Sequence, residues 1–157
     1  MEIMPDFKIT IIIKQPLDIV WKAFIDPENM LHYTKYLERV EVIQGKFGEI
    51  GAIAHLHYLE KGHSYVLEDK LVDYEEGKKI GSQVSGQGMI IDVENHFESV
   101  LEGSKITMRW NGTSKSFLTR IILKLMQKKI VKHAREELLA FKRLTEEYGS
   151  KFLVKND

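Results

Sequence analysis

No cysteine occurs among the 157 residues, which excludes disulfides, thiolate nucleophiles and cysteine-held metal or iron–sulfur centres. Proline is scarce: after Pro5, Pro16 and Pro27 there is none, so no proline interrupts a sheet or helix later in the chain. No apolar run approaches the ~20 residues that a membrane-spanning helix needs. Charge of one sign is not in excess either. Twenty-three Lys and Arg balance twenty-three Asp and Glu, so no global field draws the chain towards nucleic acid or membrane. Met1–Asp6 lacks a basic segment followed by an apolar core and a cleavage site, so a signal peptide is not expected and a cytoplasmic location is. The length suits one domain over 1–157, since domains cluster near ~100–150 residues.

What the chain does have is β-branched alternation followed by one long helical stretch. In residues 7–14 Phe7, Ile9, Ile11 and Ile13 alternate with Lys8, Thr10 and Lys14, the pattern of a strand with its odd face inward. Pro16 suits a first helical turn, and Val20, Trp21, Phe24 and Ile25 form an apolar stripe. Asp26 is placed to cap a second short helix reaching about Tyr33. Strand-like runs then cover 39–44, 52–60, 64–74, 79–85, 89–101 and 105–113, separated by glycine-bearing turns. In the run from Met89, Ile91, Val93, Phe97 and Leu101 alternate with acids and His96, predicting one buried and one wet face.

Helical periodicity runs from Ser116 to about Tyr148. At 1.5 Å per residue that helix would span ~50 Å, against ~40 Å for a compact domain of this size. Its apolar stripe also moves, from Leu118, Ile122, Leu125 and Met126 to Ala134, Leu138, Phe141, Thr145 and Tyr148. Both features predict a bend or break between Ser116 and Lys132. From Phe152 onward the chain reads as a short tail. The expected fold is α+β: a curved antiparallel sheet of six or seven strands wrapped around a long C-terminal helix, with two short helices after the first strand.

This order, and three local segments, resemble the START-like or SRPBCC superfamily and its helix-grip fold. Pro16-Leu17-Asp18-Ile19-Val20-Trp21 followed by Asp26-Pro27-Glu28 is similar to the family's P-x-x-x-V-W … D-P-E segment. Gly51 resembles the glycine that opens its third strand. Residues 117–147, above all Leu138, Phe141-Lys142 and Glu147, are similar to the final helix of the polyketide cyclase/dehydrase and lipid-transport branch. The chain departs from other branches. Met30-Leu31-His32-Tyr33 carries no tryptophan, residues 45–51 do not match a phosphate-loop-like turn, and the cysteines of a Rieske oxygenase are absent.

A sheet closing on one helix tends to leave a hollow, and hollows bind small molecules. The residues expected around it on the strands are Leu56, Tyr58, Tyr65, Leu67, Asp69, Ile91, Val93, Phe97, Met108 and Trp110. Those expected from the final helix are Ala134, Glu137, Leu138 and Phe141. A hydrophobic small molecule or lipid is the expected partner, with no cofactor. The alternative is a cyclase or dehydratase working by general acid–base catalysis, with Glu68, Asp69, Arg109 or His133 as candidates. Alternation leaves open whether Glu68 or Asp69 faces inward. Tyr33 and Tyr36 are aromatic candidates for the mouth. His133 and Glu137, one helical turn apart, can form a titratable pair or simply edge an amphipathic face. His55 and His57 share a strand face at a spacing that suits a metal, but a third ligand is not evident, and two surface histidines are the plainer reading. Finally, Arg120, Lys124, Lys128, Lys132 and Arg135 share one helical arc. They form either a solvated outer face or a weak contact with anionic lipid.

Overall fold

The computed structural model describes residues 6–114 and 117–153. Its elements run β1 (Asp6–Ile13), α1 (Leu17–Ile25), α2 (Pro27–Tyr33), β2 (Leu37–Gln44), β3 (Ile53–Glu60), β4 (His63–Glu75), β5 (Lys79–Gly86), β6 (Met89–Val100), β7 (Gly103–Ser114) and α3 (Phe117–Tyr148). All strands join one sheet in the order β1-β7-β6-β5-β4-β3-β2, and each neighbouring pair is antiparallel. The α+β expectation is met, with seven strands. No described helix is long and apolar enough to cross a membrane.

Side-chain alternation gives the sheet one inner face. Ile9, Ile11 and Ile13 of β1 are buried and pair with Met108, Ile106 and Ser104. They join Val20 and Trp21 of α1, Phe97 of β6, and Ala134, Leu138, Phe141 and Leu144 of α3 in one contiguous core. An aromatic relay crosses that core. Trp21 meets Phe97 at 5.0 Å, Phe24 meets Phe97 at 5.1 Å and Phe141 at 5.5 Å, and Tyr33 meets Phe141 at 5.1 Å, all edge-on. Edge-on pairs of this kind add about 0.5–1.5 kcal/mol each beyond area burial.

Asp26 caps α2 as expected, its Oδ1 accepting the Glu28 N–H at 2.9 Å. Gly51 sits at φ +94° and donates its N–H to the Leu71 carbonyl at 2.7 Å, a left-handed position that favours glycine.

Three expectations need correction. First, of the bend or break predicted between Ser116 and Lys132, the break is absent: α3 is continuously helical over its 32 residues from Phe117, and Ser116 lies outside the described residues. Leu123, Ile130, Ala134, Leu138, Phe141 and Leu144 make one inward stripe at helical spacing, so no break is needed to bury it. The other apolar set, including Leu118, Ile122 and Leu125, stays exposed. Second, Leu101 is fully exposed in the β6–β7 turn, because β6 ends at Val100. Third, the chain after α3 is tied down. Phe152 is in the core, and buried Asn29 accepts its N–H at 2.9 Å while donating to the carbonyls of Ala23 (3.0 Å) and Ser150 (2.8 Å).

Candidate functional site

The long helix covers the sheet unevenly. Its close packing is with β1, β7, α1 and α2. Where it lies close, Ile9, Ile11, Ile13 and Ile106 are buried beneath it. Towards β3, β4 and β5 burial is less complete: Tyr58, Tyr65, Leu67, Asp69, Ser82 and Val84 are half-buried. Leu56 and Ile91 are buried here yet stand outside the contiguous core.

Several polar side chains project from this apolar surface. Tyr58 and Tyr65 are directly paired across β3 and β4, with rings stacked at 5.0 Å and nearly parallel. Asp69, two strand repeats along β4 from Tyr65, has its carboxyl pushed up by burial, partly offset by a hydrogen bond with Ser82 on β5. That settles the alternation: Asp69 faces inward. Glu68 faces outward, 3.4 Å from His55.

From α3 comes Glu137. Burial pushes its carboxyl up to about 7, against the pull of Lys35, whose backbone N–H it accepts at 3.3 Å. The phenols of Tyr33 and Tyr58 are held well above their ordinary value, first by burial and then by the Glu137 charge. Tyr65 is raised by burial, then by Glu60 and Glu137. Glu137 therefore acts on all three phenols. Each group is crowded by protein but not sealed from solvent, as expected of a wall rather than a packed interior.

The rim is built from the α2–β2 connection. Lys35 forms an ion pair with Glu136, one residue before Glu137. Tyr36 has φ +64°, a strained value for a tyrosine, and its ring lies 6.3 Å from that of His133. Its carbonyl accepts the Leu59 N–H at 2.9 Å, which locks this connection onto β3. A separate open recess of about 580 Å³ at this end of the sheet is lined by Arg39, His57 and Val66 of the outer face together with the tyrosine pair, and lies outside the inner-face site.

The structure thus brings together Tyr58, Tyr65, Asp69 and Glu137, with Leu67 beside them. Val93, Met108 and Trp110 are half-buried on the same sheet face; Trp110 stacks on Phe7 at 5.2 Å and donates its indole N–H to the Met108 sulfur at 3.2 Å. Phe97, Ala134, Leu138 and Phe141 belong to the closed core. Arg109 is exposed on the outer face, and Glu68 shares that face, so neither can serve the interior as an acid–base group. His133 faces Tyr36, while Glu137 takes the Lys35 N–H. His55 and His57 lie on the outer face with Glu41, at 4.0 and 3.2 Å, and no metal-holding cluster forms among the described residues.

Two interior polar groups escaped the sequence reading. Asn95 is buried on the inner face, in phase with Ile91, Val93 and Phe97, and its Oδ1 has no partner. The alternation of β6 would have placed it there. The alternation of β5 would likewise have placed Ser82 there, in phase with Ile80 and Val84.

No protein-family model matches this sequence, and no characterised protein matches it at a significant level. Solved structures do. The Zhui aromatase/cyclase from Streptomyces sp. R1128 superposes with a TM-score of 0.76 at 12% identity, covering 93% of this chain and 95% of that one. The di-domain ARO/CYC StfQ from the steffimycin biosynthetic pathway gives 0.76 at 13% identity over 92% of this chain, which spans about half (51%) of StfQ. Ara h 8.0201 gives 0.72 at 14% identity, covering 90% and 97%. At such identities the likeness is one of architecture: this chain has the helix-grip fold that these structures share.

Proposed function

We propose that the protein binds an apolar small molecule or lipid between the inner face of β3–β5 and α3, with the polar end of the ligand at Glu137, Tyr58 and Tyr33. One observation carries this reading. The inner face is buried at Ile9, Ile11, Ile13 and Ile106, where α1 and α3 cover it, and half-buried from Tyr58 to Val84, where titratable groups stand in an apolar setting. The aromatase/cyclase neighbours share the architecture and support a ligand that fits such a space. Leu56, Leu67, Ile91 and Val93 supply the apolar wall, and the orphaned Asn95 Oδ1 is an acceptor that a ligand hydroxyl or a water would satisfy.

Thermal shift with fatty acids, sterols, quinones and aromatic polyketides, beside native mass spectrometry of the purified protein, tests this. A ligand held at a hundred times its Kd stabilises the native state by about 2.7 kcal/mol, an easily read shift. Leu67→Trp, which fills the space, should abolish the shift while the protein stays folded. If no compound shifts the transition and no mass adduct is found, the reading fails.

The second reading is an enzyme of the cyclase or dehydratase kind. Glu137, held near neutrality, favours it, since a carboxyl there can both take and give a proton at physiological pH. Tyr58 and Tyr33, held neutral, would donate hydrogen bonds to a developing enolate oxygen. Binding retained but turnover lost in Glu137→Gln would establish it.

A further inference from the structure

The N-terminal half of α3 has two apolar faces. Leu123 is 2% exposed and continues the inward stripe. On the opposite side Phe117, Leu118, Ile121, Ile122 and Leu125 are exposed, Leu118 by 67% and Leu125 by 79%. A solvated helix face does not ordinarily carry five large apolar residues within nine positions. The charge around them is of one sign. From Phe117 to Arg135 the sequence has Arg120, Lys124, Lys128, Lys129, Lys132 and Arg135 and no acid; the first is Glu136. At 100° per residue Arg120 and Lys124 flank the exposed apolar arc on one side, and Lys128, Lys129 and Lys132 continue the same face just beyond Leu125.

We propose that this segment docks the protein on an anionic lipid bilayer, lying in the interfacial plane with Leu118, Ile121, Ile122 and Leu125 in the acyl boundary. The flanking lysines reach up to the headgroups, their stems apolar and their tips charged. Charge complementarity selects this occupant. A second copy would set like-charged faces against each other. A nucleic acid would meet an apolar centre where phosphate contacts need cations. The chain as a whole is neutral, so attraction to lipid is local to this segment and falls with ionic strength. The inference is independent of the ligand proposed above.

The experiment is co-sedimentation of the full chain with phosphatidylcholine vesicles containing either no phosphatidylglycerol or an equal share of it, across a salt series. Binding should appear with the anionic vesicles and fade with salt. Each lysine near an anionic surface strengthens partitioning by about fivefold, so Lys124→Glu with Lys128→Glu should weaken it by about 25-fold or more. Leu118→Ser with Leu125→Ser, both exposed and harmless to the core, should weaken it at least tenfold. Leu118→Trp should show a blue-shifted emission on binding. Equal binding to neutral and anionic vesicles, or none to either, overturns the proposal. So does a serine variant that binds like the wild type, which would reduce the contact to charge alone. Self-association that the serine variant abolishes, without vesicle binding, assigns the face to a second copy and overturns it equally.

Discussion

Glu137 is the residue whose environment has the clearest consequence in solution. An unfolded glutamate ionises near 4.5, whereas in the native state this carboxyl stays protonated up to about 7. Between those values the native state holds a proton that the unfolded chain has released. Stability is therefore fully present below the window and falls as pH rises through it. Glu137→Gln keeps an acceptor for the Lys35 N–H and removes the ionisation. It should flatten the pH dependence between 5 and 8 and raise stability at pH 8 on the order of 1–2 kcal/mol, less than the full linkage value because the side chain keeps some solvent. Melting temperatures of both proteins across that range check it. Asn29 works in the opposite sense. Its three buried hydrogen bonds join the end of α1 to the segment after α3, so Asn29→Ala should cost about 2–4 kcal/mol in chemical denaturation. Glu137 was expected at the site from its helical phase, but neither its partner nor the role of Asn29 could be read from the chain. Both depend on partners more than a hundred positions away in sequence, Lys35 for Glu137 and Ser150 for Asn29.

Elements were far more legible. Strands with strict alternation, such as β1 and β6, appear within two residues of where periodicity puts them, and Asp26 caps α2 as its type suggests. The alternation failed at Leu101, which lies in the turn beyond the end of β6. The final helix misled for a physical reason. Periodicity assumes that every apolar residue seeks the interior, so two stripes seemed to require a bend. A continuous helix instead buries one stripe and leaves the other outside. Strand junctions also carry a testable constraint. Gly103, which opens β7, has φ +139°, and a Cβ there would sit 2.3 Å from the Ile13 carbonyl oxygen. Gly103→Ala should destabilise by about 2–3 kcal/mol, with the loss read in urea midpoint at unchanged slope.

At the scale of the molecule, α3 packs over one end of the sheet and leaves inner-face residues of β3, β4 and β5 half-buried at the other. The element order suggested one helix lying on one sheet but could not say which strands the helix would leave less covered. That depends on α3 lying along β1 and β7, a tertiary choice invisible to periodicity. The sheet order makes β1 an edge strand, with Lys8 exposed near its start and Lys14 exposed just past its end. Replacing both by alanine should leave the melting temperature almost unchanged while lowering soluble yield and refolding recovery, measured by light scattering.

The pairing of β1 with β7 bears on synthesis. Asp6 meets Asn111, so the first strand made finds its partner only after the other five have left the ribosome. Throughout that delay a nascent chain displays an isoleucine-rich ribbon with strong β tendency, the kind of segment that recruits other chains. The two lysines near the ends of that strand then act as gatekeepers, guarding the molecule before it has a fold to protect.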